Sequence, residues 1–474
     1  MIFTSFEFVL FFLIVLLVRP WLRSFEKEKW FLLGASYLFY MSWSVPCLGL
    51  ILFTSLVDYW VGRRLGRLEG EGQRKLLLVI SLVLNLGVLG FFKYTNFFLH
   101  NVSAAASLLG GKIALPHLDI LLPVGVSFFT FQSMSYTIDV YRRQLQPCQN
   151  CRDFLLFVAF FPQLVAGPIV RAADFLPQLI RRVRGTAEDV EAGLALFALG
   201  AVKKIVVSDQ IAPHVEMIFA SPSQFDALTL LQGALGYALQ IYCDFSGYSD
   251  MAIGCARIMG FRFLDNFCMP YGALTITEFW RRWHISLSTW LRDYLYFPLG
   301  GNRRGHARTY LNLMLTMLLG GLWHGASWNF VLWGGLHGVA LATHKYWMAV
   351  TGSATERLRG VPKLGWNLCS FGLTLGVVLL GWILFRARNL VDACQMVSRI
   401  LTWETTGARV LSPQILAALF AVSLVHLLVS KQNNWSEELL QRHVLVRVLA
   451  YSALVLLIVC LGATDASPFI YFQF

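Results

Sequence analysis

Charged residues are scarce in this chain of 474 amino acids. Asp, Glu, Lys and Arg make up 14% of it, whereas hydrophobic residues make up 57%. Soluble globular domains carry about 25% charged residues, so this composition argues against a soluble protein and indicates a membrane protein. The excess of 39 Lys and Arg over 27 Asp and Glu lies mainly in short loops, which argues against a nucleic-acid-binding surface.

The sequence motifs of several enzyme classes are missing. The chain has no Walker loop, no GxGxxG before a helix and no GxSxG, so nucleotide hydrolysis and a hydrolase triad have no support. Nine cysteines are scattered along the chain and suggest no disulfide framework. Cys148 and Cys151 form a lone CxxC without a second pair, which disfavours a zinc site.

Long apolar segments predict an all-α, polytopic bundle of membrane helices. The segment from Thr309 to His344 contains no Asp, Glu, Lys or Arg. As one helix it would be about 50 Å long against a hydrocarbon core of about 30 Å, so we expect it to kink, turn back or divide. The glycines at which this is expected are Gly320, Gly321 and Gly325. Further spans are predicted at Leu76–Phe92, Leu368–Phe385, Ser412–Ser430 and Val448–Ala463, and near Phe8–Val18, Phe31–Val57, Ile120–Ile138 and Leu228–Cys243.

These segments give about ten to twelve crossings or half-crossings in one integral-membrane domain, residues 1–474, with an aromatic tail at 465–474. The N-terminus has no basic region and no small-residue cleavage site, so it is predicted to be a retained span. Basic clusters near Arg63 and Arg181 are expected on the cytoplasmic face, and the nearly uncharged loop 96–118 outside. The distribution of basic residues does not determine on which side of the membrane the C-terminus lies.

Polar residues inside apolar segments are the candidate functional residues, because they are costly to place in a membrane. One cluster, QIYCDFSGYSDMAIG, contains Asp244 and Asp250, which we expect to fix helix ends or to pair with an arginine. A second begins at Thr277, and helical spacing would place Arg281, His284 and Ser288 on one face between tryptophans. The alternative is an amphipathic interface helix with tryptophan anchors.

His324 lies in the third cluster, LLGGLWHGASWNFVLW, between a glycine pair and three tryptophans. His324 is either a structural core histidine that donates a hydrogen bond to a carbonyl, or a general base in catalysis. The neighbouring glycines leave room for a substrate or for close helix contact. A histidine in a dry site tends to stay neutral, which is the form that accepts a proton from a hydroxyl or thiol.

Several of these motifs resemble those of membrane-bound O-acyltransferases. The segments VGVSFFTFQSMSYTIDVYR, FFPQLVAGPIVR, QIYCDFSGYSDMAIG, FWRRWHISLSTWLRDYLYFPLGG and LLGGLWHGASWNFVLWG occur in the family's order. The chain is most similar to the bacterial alginate O-acetyltransferase type. Relatives of that type acetylate peptidoglycan or cellulose, and a more distant one exports D-alanine to teichoic acid.

The resemblance implies a helical bundle in the bacterial inner membrane with a central tunnel. A cytoplasmic thioester, acetyl-CoA or an acylated carrier, would be the donor, with no metal or bound cofactor. His324 matches the family's near-invariant histidine and would act as general base. His284 matches its second histidine and would orient the thioester or bind the oxyanion. Candidate donor-binding or tunnel residues are Arg281, Arg282, Ser288, Asp244 and Asn329. Arg292 is a further candidate for donor phosphates, although ion pairs of these arginines with Asp293 or Glu278 are an equal alternative.

The expected acceptor is an extracytoplasmic polysaccharide. A separate esterase-like partner protein is expected to complete the transfer, and membrane lipids are expected to surround the chain. Two alternatives remain open: acylation of a lipid or protein hydroxyl, and a transporter or flippase with histidine proton relays. The tail DASPFIYFQF contains one reactive hydroxyl, that of Tyr471. It is either an aromatic membrane anchor or an acyl carrier, since a phenol of pKa about 10 is a good leaving group.

Overall fold

A computed structural model describes residues 1–111, 115–164, 167–352, 359–428, 435–463 and 469–470. Across these ranges the secondary structure is helical, apart from one isolated bridge between Phe225 and Ala408. The predicted all-α fold is confirmed. The chain divides into two compact units, Met1–Leu194 with Ala252–Leu264 and Ala195–Met251 with Asp265–Phe474. A single domain over the whole length stays a prediction.

The first unit has a core rich in phenylalanine. The rings of Phe160, Phe175 and Phe261 lie 4.9 to 5.6 Å apart, and all three are buried. Its helices are α1 (Phe6–Val18), α2 (Phe25–Met41), α3 (Val45–Leu65), α4 (Glu71–Leu108), α5 (Val126–Tyr141), α6 (Cys151–Ala159), α7 (Phe161–Leu164), α8 (Ala172–Phe175) and the first half of α9 (Ala187–Ala201).

The second unit holds most of the candidate functional residues. A π-helix, Val202–Ser208, continues α9 directly, and a second one, Arg292–Tyr296, follows α13. Its α-helices are α10 (Asp209–Ala220), most of α11 (Ala227–Ile258), α12 (Ile276–Arg282), α13 (Ile285–Leu291), α14 (His306–His324), α15 (Trp328–Thr351), α16 (Gly360–Arg386), α17 (Leu390–Leu401), α18 (Pro413–Leu428), α19 (Trp435–Leu440) and α20 (Val444–Leu461).

Four helices among the described residues, α3, α4, α16 and α20, are long and apolar enough to cross a membrane. The chain is thus a multi-pass membrane protein, while the total number of crossings stays a prediction. The prediction of a loop at 96–118 is wrong for residues 96–108, because α4 continues to Leu108. At 38 residues, α4 is about 57 Å long, more than the hydrocarbon core requires.

The apolar segment from Thr309 to His344 divides at its glycines, as predicted. Helix α14 ends at His324, and α15 begins at Trp328. A Cβ atom on Gly321 would overlap the carbonyl oxygen of Phe330, so the two helices pack with their backbones in contact. Gly321 therefore serves close helix contact, one of the two roles expected for the glycines.

Candidate functional site

His284 lies at a break between two short helices. Helix α12 begins after Thr275, whose hydroxyl accepts the N–H of Glu278 at 3.1 Å, and it ends at Arg282. His284 then adopts left-handed backbone angles, φ 43° and ψ 57°, and α13 starts at the next residue. The prediction of one continuous helix with Arg281, His284 and Ser288 on one face is therefore wrong. Non-glycine residues adopt this conformation at an energetic cost, so the surrounding structure must hold it.

Asn266 holds His284 and the start of α13 together. Its side-chain Oδ1 accepts the backbone N–H of Ser286 at 3.1 Å and the Ser286 hydroxyl at 2.9 Å. The Asn266 backbone carbonyl accepts the N–H of Ile285 at 2.9 Å. Asn266 thus caps α13 from a distant part of the sequence, in place of a local N-cap side chain.

The same oxygen, Asn266 Oδ1, lies 3.2 Å from His284 Nδ1. A backbone N–H also points at this oxygen, which identifies it as the acceptor atom of the amide. His284 Nδ1 must therefore carry the proton and donate it. In a neutral ring this leaves Nε2 with the lone pair, so Nε2 accepts a hydrogen bond or a proton.

Aromatic rings surround the buried His284 side chain, which is 0% exposed. The Phe245 ring meets the imidazole edge to face with centroids 4.6 Å apart. The Trp323 ring lies 6.0 Å away. Trp323 also contacts His324, at 5.0 Å, so one indole ring lies beside both predicted catalytic histidines.

His324 is the last residue of α14 and is 3% exposed. Besides Trp323, its ring packs against Trp333 at 5.0 Å and Phe385 at 5.3 Å, edge to face in both contacts. This brings together side chains from α14, α15 and α16. These three rings enclose the imidazole in an aromatic setting.

Asp244 and Asp250 lie on α11 and pair with two consecutive lysines of the first π-helix. Lys204 Nζ is 2.6 Å from Asp244 Oδ1, and Lys203 Nζ is 2.6 Å from Asp250 Oδ2. Both carboxylates are buried. The expected pairing is thus present with lysine in place of arginine, and it joins the middle of α11 to the π-helix.

Two glycines bring these elements into contact. A Cβ atom on Gly200 would meet the carbonyl oxygen of Gly247, and a Cβ on Gly247 would meet that of Gly200. The backbones of α9 and α11 therefore touch directly ahead of the lysines. Lys203 and Lys204 were not selected as site residues from the sequence, although two charges inside the apolar run LFALGAVKKIVV are such a signal.

A cavity of about 640 Å³ opens beside α12, α13 and α15. Its polar wall residues are Thr277, Arg281, Ser288, Thr289, Arg292, Tyr296, Asn302, Thr316, His344 and Lys345. No Asp or Glu is among the described residues on this wall, so its electrostatic character is basic. Arg281 and Ser288 thus share a cavity although they do not share a continuous helix. His284 and His324 are not among its described wall residues.

The remaining arginines and Asn329 make local structural contacts. Arg282 pairs with Glu278 and donates to the carbonyl of Met269 at 3.2 Å. Arg292 pairs with Asp293 at 2.7 Å. Asn329 donates to the carbonyl of Ala387 at 2.8 Å and is buried. Arg282 and Asn329 are therefore placed as supports, away from the cavity wall.

One further histidine, His337, and the CxxC motif have plain structural settings. His337 Nδ1 accepts the Trp280 indole N–H at 3.3 Å. Burial raises the pKa of the Cys148 thiol, in the loop after α5, to about 11. A thiol of this kind holds little thiolate at neutral pH, which disfavours a redox role.

Tyr471, the predicted acyl carrier, lies outside the described residues. The two residues before it, Phe469 and Ile470, are described and buried, at 0% and 4% exposure. Within the second unit the geometry thus gathers two aromatic-enclosed imidazoles, a lysine–aspartate network and a basic cavity. These are the groups that proton transfer and binding of an anionic ligand require.

Comparison with known proteins gives a consistent family. The family model of the membrane-bound O-acyltransferases matches residues 140–384. The chain is 39% identical to the "Probable alginate O-acetylase AlgI" of Pseudomonas putida, over 100% of both chains. It is 44% identical to the Pseudomonas aeruginosa protein of the same name, over 85% of this chain and 76% of that one. It is 36% identical to the peptidoglycan O-acetyltransferase of Helicobacter pylori, over 78% and 73%. The chain belongs to the membrane-bound O-acyltransferase family.

Proposed function

We propose that this membrane acyltransferase moves an acetyl group from a cytoplasmic thioester, such as acetyl-CoA, to an extracytoplasmic acceptor, for O-acetylation of a cell-surface polysaccharide. The bacterial inner membrane is the proposed location. The relatives named as alginate and peptidoglycan O-acetyltransferases support the acetyl group and the polysaccharide acceptor. The observation that carries the chemistry is His324, an imidazole buried among three aromatic rings.

His324 is proposed as the general base. A nitrogen of the imidazole takes the proton of the attacking hydroxyl, and the hydroxyl oxygen bonds to the thioester carbonyl carbon. The carbon–sulfur bond then breaks, and the imidazolium returns its proton to the leaving thiolate, so that the base is regenerated. Low exposure at His324 excludes bulk water, which would otherwise hydrolyse the thioester.

His284 is proposed to act on the hydroxyl. Its Nδ1–H is engaged by Asn266, so a neutral ring offers Nε2 as an acceptor. An acceptor nitrogen can orient a hydroxyl, whereas binding an oxyanion requires a donor. The predicted role of His284 at the oxyanion therefore needs the doubly protonated imidazolium, which burial among aromatic rings disfavours.

The 640 Å³ cavity is the proposed donor site. Its size lies within the usual range of about 300 to 1,000 Å³ for small-molecule pockets. Arg281 and Lys345 offer cationic groups to the phosphates of a coenzyme A thioester, and Arg292, paired with Asp293, lies on the same wall. The apolar wall residues Leu313, Met317 and Leu341 suit its pantetheine arm.

We further propose that the Tyr471 hydroxyl receives the acetyl group as an ester. A separate extracytoplasmic protein, of the SGNH esterase-like type, would then pass it to the polysaccharide. A phenol is a better leaving group than an alkyl alcohol, so a tyrosyl ester keeps the acetyl group ready for transfer.

The test uses the purified full chain in proteoliposomes with acetyl-labelled acetyl-CoA. We expect time-dependent loss of the thioester and covalent label on the protein. Label that appears in lipid, with none on the protein or on added glycan, would support lipid acylation instead. Thioester that stays intact throughout, with a protein shown to be folded, would contradict acyl transfer and favour a transporter.

A further inference from the structure

The C-terminal segment is fastened to the second unit at both of its described ends. After α20, the N–H of Ala463 donates to the carbonyl of Ile205 at 3.2 Å, and Gln210 donates to the carbonyl of Leu461 at 2.8 Å. Further on, the N–H of Ile470 donates to Asp244 Oδ2 at 2.8 Å, across 226 positions of sequence. The segment thus returns to the first π-helix and to α11.

Each carboxylate oxygen of Asp244 has a partner of its own. Lys204 approaches Oδ1 at 2.6 Å, while Oδ2 accepts from Ile470. Lys204 also pairs with Asp209 at 2.8 Å, and all three charged side chains are buried. One lysine is shared by two carboxylates, so the Ile470 N–H is an additional donor to a buried negative charge. Such charge-assisted bonds are stronger than neutral ones.

The residue before Ile470 continues the contact. The Phe469 ring lies 4.5 Å from the Tyr248 ring and 5.6 Å from the Phe245 ring. Phe245 in turn meets the His284 imidazole at 4.6 Å. The described tail residues therefore belong to the same packed cluster as His284, one ring away from it.

A small polar cavity of about 250 Å³ adjoins this anchor point. Ile470, Asp244 and Lys204 lie on its wall. Gln240, Glu216 and Arg386 add polar groups to it. Ile470 therefore lies beside a polar cavity, whereas the residue before it, Phe469, packs among aromatic rings.

We propose that Asp244, held by Lys204, is a positioning residue for the C-terminal tail. By fixing the Ile470 N–H, it sets the backbone immediately before Tyr471 within the cluster that contains His284. The inference rests on the proposed function in one respect, the acyl-carrying role of Tyr471. The anchoring itself is independent of that role and can be measured without any turnover.

The chain offers a matched control in the second ion pair. Asp250 pairs with Lys203 at the same distance and joins the same two elements, and no contact of Asp250 with Phe469 or Ile470 is recorded among the described residues. In Asp244→Asn one of the two oxygens becomes an NH2 group, so either Lys204 or the Ile470 N–H faces a donor in place of an acceptor. Asp250→Asn weakens an ion pair of the same kind and leaves the tail bond in place.

Hydrogen–deuterium exchange of the C-terminal peptide in the detergent-purified full chain measures the anchoring. We expect Asp244→Asn to accelerate exchange of that peptide about tenfold or more, from loss of a charge-assisted bond, and Asp250→Asn to leave it unchanged. Unchanged exchange in a folded Asp244→Asn variant overturns the proposal. Equal acceleration in both variants also overturns it, because the tail would then report general loosening.

A second variant covers the case in which Asp244→Asn does not fold. Ile470→Pro removes the N–H that donates to Asp244 and leaves every charge in place, so we expect faster exchange of the neighbouring tail amides from it as well. Tail exchange at the wild-type rate in Ile470→Pro, when Asp244→Asn is unfolded, overturns the proposal. Failure of the wild-type protein to transfer acetyl groups would contradict the proposed function. The tail-exchange measurement does not depend on that activity.

Discussion

His284 Nδ1 and Asn266 Oδ1 lie 3.2 Å apart, and the same oxygen accepts the backbone N–H of Ser286. One asparagine thus caps α13, supports a left-handed residue and sets which nitrogen of His284 carries the proton. Because the backbone donor fixes the amide orientation, the tautomer of His284 follows from the fold.

Asn266→Ala is expected to lower acetyl transfer strongly through the loss of this tautomer, by about 10- to 100-fold, the range found for groups that orient metal-bound histidines. Asn266→Asp should retain more activity, since it keeps the acceptor. Its added negative charge stabilises the imidazolium, so the acid limb of its activity–pH profile should move to higher pH. Ser286→Ala, which removes the hydroxyl bond to Asn266 and the 3.5 Å contact of that hydroxyl with His284 Nδ1 but keeps the amide, is the control and should lose less activity. Equal activity in wild type and a folded Asn266→Ala would contradict the role of Asn266.

Arg281→Gln is expected to raise KM for acetyl-CoA about three- to tenfold with little change in kcat, because an exposed cation contributes uniform binding to a phosphate. The effect should shrink at high salt. Arg308→Gln is the control, since Arg308 is exposed and is not among the cavity's wall residues. The same KM in both variants would place the donor elsewhere.

Gly321→Ala is expected to lower the thermal transition, because its Cβ would overlap a backbone oxygen of α15. Overpacking of this kind costs about 1–3 kcal/mol, more than the gain of up to about 1 kcal/mol from replacing a helical glycine by alanine. Gly335→Ala meets only the end of Leu318, so its transition should be unchanged or higher. A Gly321→Ala variant as stable as Gly335→Ala would argue against the close contact of α14 and α15.

Tyr471→Phe keeps an aromatic ring in the tail and removes its hydroxyl. If Tyr471 carries the acyl group, surface acetylation should be lost while protein level in the membrane stays at that of wild type. Mass spectrometry of the wild-type C-terminal peptide, trapped without acceptor, should show one added acetyl group. Normal acetylation of the glycan by Tyr471→Phe would contradict the carrier role of Tyr471.

Composition and periodicity could predict the all-α membrane fold and the division between α14 and α15. Both depend on local properties, namely apolar length and small residues at a close contact. His324 was recognisable for the same reason, as a polar residue in a charge-free segment.

The helix break at His284 could not be predicted from composition or spacing. Helical spacing assumes an unbroken helix, whereas the break at His284 is stabilised by Asn266, 18 residues earlier in the chain. The lysine partners of Asp244 and Asp250 depend likewise on a contact between α9 and α11 at Gly200 and Gly247. Long-range contacts of this kind are set by the packing of the whole unit, which a pattern along one segment does not encode.

The central claim is that His324 is the base for acyl transfer, and single-turnover transfer of labelled acetyl by purified His324→Ala tests it most directly. His337→Gln is the control, since His337 also packs against Trp333 and its replacement keeps an acceptor for Trp280. We expect His324→Ala to lose transfer from acetyl-CoA, at least about 100-fold, with membrane level and thermal transition near wild type. His337→Gln should retain activity. Transfer at the wild-type rate by a folded His324→Ala protein would contradict the account.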